Sequence, residues 1–310
     1  MSRSYSLDEM GQPRDPSPAS QTHEVPQPRP RAHEPSDPDR TQEYRTHARP
    51  APDRPTSGIR SMGPRKPYDL RNRTYRLRAS ELETMVDIGK FRALATKDLE
   101  ELAYAGNRSH LNADLLNLRN QGLILQREMP RRDAPPRRLV ALTKQGQRLL
   151  IAHDRVPKKQ KLYHGFSKLR ESHHDADLYR LYQKAIDSIA RKRGTNVRIV
   201  LDSELKTILY RDLARAKREK DSTDAATIAQ RNGLKVIRGK IPVPDLRIEY
   251  ETPDRDQVRV DLELATEHYR FRNLAQKVGA GFAIYARADE LTNLRRVMDE
   301  RELVAQIMSL

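Results

Sequence analysis

The stretch PVPDLRIEYETPDRDQVRVDLELA, from Pro242 to Ala265, consists of two segments of alternating apolar and polar residues around a turn. Even positions are apolar in both segments, and a period of two places even and odd positions on opposite faces of a strand. We therefore predict a hairpin of strands 246–251 and 258–265. A five-residue loop between them would set Glu249 opposite Asp261.

The odd face of this hairpin is rich in carboxylates, although the chain has a net charge of +16. The predicted register puts Arg247 opposite Glu263 and Asp245 diagonal to Glu263, with Asp261 beside them. Facing like charges destabilise a sheet, so this face is predicted to hold a cation. Three converging carboxylates without sulfur favour Mg²⁺ or Mn²⁺, and we predict no organic cofactor. The alternative is a structural hairpin whose surface ion pairs each contribute under about 1 kcal/mol.

Helices and strands alternate on both sides of the hairpin. Helical spacing of apolar residues begins after His174, NVRIVL is a short strand, and Asp202 or Ser203 can cap the helix ELKTILYRDLARAKREK. After the hairpin come a helix over EHYRFRNLAQKVGA, the strand GFAIYAR and an amphipathic helix from Asp289 to Met308. Residues 174–310 are thus predicted to form a mixed α/β domain. Its last helix serves either homodimer formation or ordinary packing.

Residues 68–152 follow a different plan. ASELETMVDIGKFRALATKDLEELAYAG predicts two helices, the second capped by Thr96, and SHLNADLLNLRNQGLI predicts a third that ends at Gly122. A tight turn between two short helices is typical of a helix-turn-helix unit. LILQREMPRRDAPPRRLVALTKQGQRLL then predicts a hairpin with a basic tip, followed by a closing helix.

These residues resemble the winged-helix family of bacterial DNA-binding domains. LLNLRNQGLI is similar to the end of its recognition helix, and LVALTKQGQRLL to its second wing strand and closing helix. The resemblance implies double-stranded DNA as the partner, with the helix in the major groove and the wing arginines on phosphates or in the minor groove. A protein-docking role is the alternative. The candidate DNA-binding residues are Asn107, Arg108, Ser109, His110, Asn112, Arg127, Arg131, Arg132, Arg137 and Arg138.

The acidic hairpin resembles the PD-(D/E)xK nuclease superfamily. Its Pro-Asp matches the PD of that family, and Asp261-Leu262-Glu263 matches the acidic pair. The resemblance implies that Asp245 and Asp261 are metal ligands, and that Glu263 stands at the catalytic place where Lys is usual. Glu204, on an earlier helix, is a candidate further ligand.

A second alignment with the same superfamily is also open. If Glu263 is the first acidic residue, Ala265 falls at the Lys place. Lys277, on the next helix, could then reach back as the catalytic residue.

The two halves together resemble the replication-relaxation family of plasmids and other mobile elements, over residues 75–290. That family has a Pro-Asp before one strand, an acidic strand ending in Thr, and a helix with a Lys. The matching positions here are Pro244, Asp245, Glu263, Thr266 and Lys277. The resemblance implies a role in the replication or mobilisation of plasmid DNA. The expected fold class is therefore α+β with a mixed α/β part: a winged helix followed by a nuclease-like domain.

Composition sets the remaining bounds. Residues 1–67 are rich in proline and poor in aliphatic residues, so we predict a disordered tail. Residues 153–173 are predicted to be a basic linker. Residues 1–66 hold only 11 of the 59 Lys and Arg residues but 9 of the 43 Asp and Glu, so the positive excess lies beyond them and favours a polyanionic partner. The absence of cysteine suits a cytoplasmic protein, and no apolar run is long enough to cross a membrane.

Three functions are compatible with these features. The first is a DNA-binding protein of a plasmid or mobile element with an inactive nuclease-like domain. The second is an active Mg²⁺-dependent endonuclease. The third is a winged-helix transcription regulator whose C-terminal domain only dimerises.

Overall fold

The computed structural model describes residues 60–131, 134–157, 159–166, 171–219, 223–265, 271–299 and 307–310. The predicted tail falls almost entirely outside these residues. Mixed α and β structure is confirmed. The elements are β1 (Lys66–Leu70), β2 (Arg73–Leu77), α1 (Ala79–Phe91), β3 (Leu94–Ala95), α2 (Thr96–Leu102), α3 (Arg108–Asn120), β4 (Ile124–Arg131), β5 (Ala134–Leu142), α4 (Lys144–Ala152), α5 (Ser172–Arg191), β6 (Thr195–Leu201), α6 (Asp202–Glu219), α7 (Ala225–Arg231), β7 (Leu246–Glu251), β8 (Gln257–Ala265), α8 (Phe271–Ala280), β9 (Ala283–Ala286), α9 (Ala288–Asp299) and β10 (Ile307–Ser309).

The first half combines the four helices α1–α4 with a small antiparallel sheet. The sheet has the strand order β3-β5-β4, so the short strand between α1 and α2 pairs with the second strand of the β4–β5 hairpin. Helix α2 begins at Thr96, the residue expected to cap it, so the helix starts one residue earlier than predicted and Ala95 is at the N-cap position. Helix α3 is capped by Asn107, whose side chain accepts a hydrogen bond from the His110 amide.

An additional hairpin, β1–β2, precedes α1 and was not expected from the sequence. Its strands pair from Lys66 with Leu77 to Leu70 with Arg73. The side-chain Nε2 of Gln121 donates to the Arg76 carbonyl at 3.0 Å. This bond connects β2 to the C-terminal end of α3.

The second half is built around a five-stranded mixed sheet of order β10-β9-β8-β7-β6. Strands β6, β7 and β8 are antiparallel neighbours, whereas β8, β9 and β10 run parallel to one another. Even positions of β7 and β8, such as Leu246 and Leu262, are buried in a cluster with apolar residues of α5. This alternation agrees with the predicted period of two.

The register of the β7–β8 hairpin differs from the predicted one by two residues. Glu249 lies opposite Arg259, and Asp261 lies opposite Arg247. The loop is 252–256 rather than 253–257, because the Thr252 amide donates to the Asp256 carbonyl at 2.9 Å and closes the turn one residue earlier. Glu249 and Asp261 therefore each face an arginine across the ladder, and the predicted like-charge pair of Glu249 with Asp261 does not form.

The C-terminal end also departs from the prediction of one helix over 289–308. Helix α9 covers Ala288–Asp299, and Ile307–Ser309 forms an edge strand parallel to β9, so the end of the predicted helix is a strand. The backbone N–H and C=O groups of this edge strand form hydrogen bonds to β9, whereas in the predicted helix they would bond residues of the same helix.

The predicted linker 153–173 is packed against both halves. Leu162 is buried, and the Tyr163 amide donates to the Gly89 carbonyl at 2.7 Å. The side chain of Gln160 bonds both the amide and the carbonyl of Ile199 on β6. Residues of α1 and α5 share one buried cluster, in which the Phe91 ring lies 5.4 Å from the rings of Tyr179 and Tyr182.

Within the described ranges, the helices are all too short or too polar to cross a lipid bilayer.

Candidate functional site

A cluster of charged side chains lies at the start of β7, where Asp245, Glu263 and Lys277 come together. Lys277 Nζ lies 2.8 Å from Oε1 and 2.9 Å from Oε2 of Glu263, which is completely buried. The second Glu263 oxygen also accepts the Asp245 amide at 3.1 Å, and Asp245 Oδ2 accepts the Leu264 amide at 3.0 Å. We call Asp245, Glu263 and Lys277 the acidic cluster. It brings together three residues that the sequence singled out.

Asp261 lies on the same sheet face but belongs to a different contact. Its two oxygens accept bonds from Nε and Nη2 of Arg247 at 2.6 and 2.9 Å. Two further N–H groups of Arg247 bond the carbonyls of Asn232 and Gly233, so four of the five donors of this buried guanidinium are used. Asp261 is therefore neutralised by a bidentate partner.

Glu204, the third predicted ligand, is held by Arg198 on β6. Arg198 also bonds Glu249 at 2.9 Å. Glu204 Oε2 is buried without a hydrogen-bond partner in the described part of the chain. The predicted ligand set of Asp245, Asp261 and Glu204 is thus divided among separate ion pairs.

The side chains present do not fit a site in which three carboxylates share Mg²⁺ or Mn²⁺. Asp261 and Glu204 each face an arginine, and Glu263 faces Lys277. Across the described ranges, no three His, Asp or Glu side chains are grouped closely enough to hold one ion.

His174 is a member of this neighbourhood that the sequence analysis missed. Its Nε2 lies 3.6 Å from Asp245 Oδ1. Burial opposes the charged imidazolium, but Asp245, together with Asp175 and Asp177, outweighs it and raises the pKa of His174. No sequence signal identifies this contact, because His174 and Asp245 are far apart in the sequence and meet only when the chain is folded.

The outer face of α3 carries most of the predicted reading residues. Arg108, Ser109 and Asn112 are exposed there, as is Asn107 at the cap. Arg119, near the C-terminal end of α3, is also exposed. It adds a positive charge to the helix surface that the sequence analysis did not predict. A polar and basic helix surface of this kind has the donors that base edges and phosphates accept.

His110 does not belong to that outer face. It is 3% exposed, and its Nε2 lies 3.3 Å from both Ser80 Oγ and Asp114 Oδ2. Asp114 accepts further bonds from Ser80 Oγ at 2.5 Å and from Tyr104 Oη at 2.9 Å. The prediction of His110 as a DNA contact is corrected: its ring belongs to a buried polar network between α1 and α3.

The β4–β5 hairpin presents a second set of cations. Arg127 and Arg131 are exposed on β4, and Arg127 also stacks on the Phe166 ring at 5.6 Å. Arg138 is exposed and lies 3.1 Å from Glu128, a surface pair of small energetic value. Arg132 lies outside the described residues.

Arg137 is the second predicted DNA contact that the structure places elsewhere. Its guanidinium joins Asp98 of α2 at 2.6 Å to Asp177 of α5 at 2.8 Å, and also bonds the His173 carbonyl. Asp98 and Asp177 are both buried. Arg137 therefore links the two halves from the inner side of the hairpin.

The family models, the curated proteins and the solved structures gave no significant match to this chain.

Proposed function

We propose that this chain is a double-stranded-DNA-binding protein of a plasmid or mobile element, related to the replication-relaxation family. In this proposal α1–α4 with the β4–β5 hairpin act as a winged helix-turn-helix, and the C-terminal sheet is a nuclease-like domain that has lost its metal site. The protein acts in the replication or mobilisation of DNA.

The observation that carries the proposal is the exposure of polar and basic side chains on both α3 and the hairpin packed next to it. Helix α3 presents Arg108, Ser109 and Asn112, and the adjacent hairpin presents Arg127 and Arg131. A helix with polar and basic side chains fits the major groove, while hairpin arginines reach the neighbouring phosphates. The element order helix, strand, two helices, hairpin supports the same reading.

Duplex binding is expected to depend steeply on salt. Each Arg or Lys that contacts a phosphate releases condensed counterions, which contributes a slope of about −0.9 to a plot of log affinity against log salt concentration. Replacing one contacting arginine should therefore reduce the slope by about 1.

The test is fluorescence anisotropy of a labelled duplex, titrated over a series of salt concentrations. Arg108→Gln and Arg131→Gln should each weaken binding and flatten the salt dependence. Arg191→Gln, at the exposed C-terminal end of α5, removes the same charge outside both surfaces and is the matched control. The proposal fails if all three variants bind alike, or if the unaltered protein binds equally at low and high salt.

An active Mg²⁺- or Mn²⁺-dependent endonuclease is the second candidate, and the convergence of Asp245, Glu263 and Lys277 favours it. These residues match the Asp, Glu and Lys types that nucleases of this kind use. Supercoiled plasmid should then be nicked in the presence of either metal, and Asp245→Asn should abolish nicking. Glu249→Gln, on the same sheet face but paired with Arg198, is the control that should remain active. Intact plasmid after incubation with the unaltered protein and either metal would rule this candidate out.

A further inference from the structure

Helix α6 exposes a basic face that neither proposed DNA surface includes. Apolar residues such as Leu205 and Leu209 point into the cluster shared with α7, so the opposite side of the helix faces solvent. Its 18 residues span about 27 Å. The exposed large side chains on that side are Lys206, Tyr210, Arg211, Arg215, Lys217 and Arg218. We call this surface the α6 face.

Tyr210 is unusual in its surroundings. Its side chain is 60% exposed, which makes it one of the few large apolar side chains left in solvent. Helical spacing places it between Lys206, four residues before it, and Lys217, seven residues after it. An exposed aromatic ring between cations combines a stacking surface for a base with partners for the flanking phosphates.

Three cations of the α6 face have no carboxylate partner in the described part of the chain: Arg215, Lys217 and Arg218. Lys206 pairs with Asp202 at 2.8 Å, and Arg211 reaches only the adjacent Asp212. By contrast, Arg198 and Arg247 of the same half are held by acids. The surrounding segment is also basic, since the described residues within 205–241 include nine Lys and Arg but only three Asp and Glu.

The α6 face begins beside the acidic cluster. The Asp202 amide, at the start of α6, donates to the Asp245 carbonyl at 3.1 Å. Burial lowers the pKa of Lys206, but Asp202 and Asp245 together outweigh that effect and raise it, so the charge of Asp245 acts on Lys206. A nucleic-acid strand lying along α6 would thus pass next to Asp245.

A solvated helix face is the simplest alternative, because long charged side chains need no ligand to be stable in water. An aromatic ring in the middle of that face is what the alternative leaves unexplained. Base–aromatic stacking does not depend on sequence, and it needs a base that is free of its partner strand.

We propose that the α6 face binds a single-stranded DNA segment, with Tyr210 stacked on an unpaired base and Arg215, Lys217 and Arg218 on its phosphates. This site rests on the proposed function only in taking DNA as the ligand. It uses a different form of DNA and different residues from α3, so each proposal can fail alone.

The experiment measures the affinity of the full chain for a labelled single-stranded oligonucleotide and for a labelled duplex. Tyr210→Ala should weaken single-strand binding roughly tenfold and leave duplex binding unchanged, because only the unpaired base stacks. Tyr210→Phe retains the ring and should bind like the unaltered protein. Alanine is a good helix former, so the exposed substitution should keep α6 folded.

A second readout reports stacking directly. An oligonucleotide containing 2-aminopurine should lose fluorescence when bound to the unaltered protein and to Tyr210→Phe, but less with Tyr210→Ala. Arg108→Gln on α3 should weaken duplex binding alone. Equal single-strand affinity of Tyr210→Ala and the unaltered protein overturns this site, as does an equal loss toward both forms of DNA or no single-strand binding at all.

Discussion

The Arg247 guanidinium lies directly across the hairpin from Asp261 and bonds both of its oxygens, at 2.6 and 2.9 Å. Arg247 is 1% exposed and is the largest completely buried side chain in the described residues. Two backbone carbonyls accept two further bonds from it. The pair therefore fixes the register of β7 and β8 and also connects the sheet to the end of α7.

Arg247→Gln should strongly destabilise the protein. The substitution leaves the Asp261 carboxylate and two backbone carbonyls without their donors, and breaking a buried pair in this way costs about 3–5 kcal/mol. The free energy of unfolding, measured with urea, reports the loss. Arg259→Gln is the matched control, because Arg259 faces Glu249 at 3.6 Å on the solvent side and should cost under about 1 kcal/mol. Similar losses for both variants would contradict this account of Arg247.

Arg137→Gln should affect stability rather than DNA binding. Asp98 keeps Arg180 as a partner and Asp177 keeps Arg287, so we expect a moderate loss of about 1–3 kcal/mol in the free energy of unfolding. The salt dependence of duplex binding should stay unchanged. Arg138→Gln is the neighbouring control. It should flatten the salt dependence of duplex binding and leave the free energy of unfolding nearly unchanged. A flatter salt slope for Arg137→Gln would return Arg137 to the DNA surface.

Asp175 should make stability depend on pH in mildly acidic solution. Burial raises the pKa of its carboxyl to about 6, although Arg92 and His174 act in the opposite direction. Between the unfolded value near 4 and this folded value, the folded state binds a proton that the unfolded state releases. The contribution of Asp175 to stability is therefore favourable below about pH 4 and is lost as the pH rises to about 6, by an amount on the order of 2–3 kcal/mol.

Urea unfolding of the unaltered protein and of Asp175→Asn at several pH values between 4 and 7 tests this dependence. The difference between the two free energies should change with pH, because asparagine does not titrate. Groups common to both proteins cancel in that difference. Parallel curves over the whole range would show that the carboxyl of Asp175 has an ordinary pKa.

Asp114→Ala should loosen α3 on α1. The carboxylate is completely buried and accepts bonds from Ser80 and Tyr104, with Arg78 Nε 3.2 Å from its other oxygen. Removing it leaves several buried donors unpaired, at about 1–3 kcal/mol for each unsatisfied group. Thermal unfolding should show a clearly lower midpoint. Asn112→Ala, two residues earlier on the exposed face, should change stability by under about 0.5 kcal/mol.

Sequence patterns located most elements because the buried faces repeat at regular spacing. The prediction of strand 246–251 agrees with β7 at both ends, and β8 begins one residue earlier than predicted. The register error is instructive, since both registers keep the same residues on the same face. The cross-strand charges and the turn distinguish them: the observed register pairs Arg247 with Asp261 and Glu249 with Arg259, and the Thr252 amide closes the loop on Asp256.

The errors at His110 and Arg137 have a tertiary origin. His110 and Asp114 lie four residues apart, and this spacing predicts a contact between them on one face of α3. The spacing does not show that α1 packs over this face and buries the pair. Arg137 belongs to a hairpin whose basic tip suggested a solvent-facing role, and only the packing of α5 turns it inward. His174 was missed for the same reason. Contacts between distant segments carry no local signature in one sequence.

The aromatic contact of Phe91 with Tyr179 and Tyr182 has a practical consequence for dissecting this protein. A fragment that stops after α4 would expose the Phe91 ring to water. The complementary fragment would expose the rings of Tyr179 and Tyr182. Such half-molecules should aggregate instead of behaving as autonomous modules, so assigning one activity to each requires point substitutions in the intact chain.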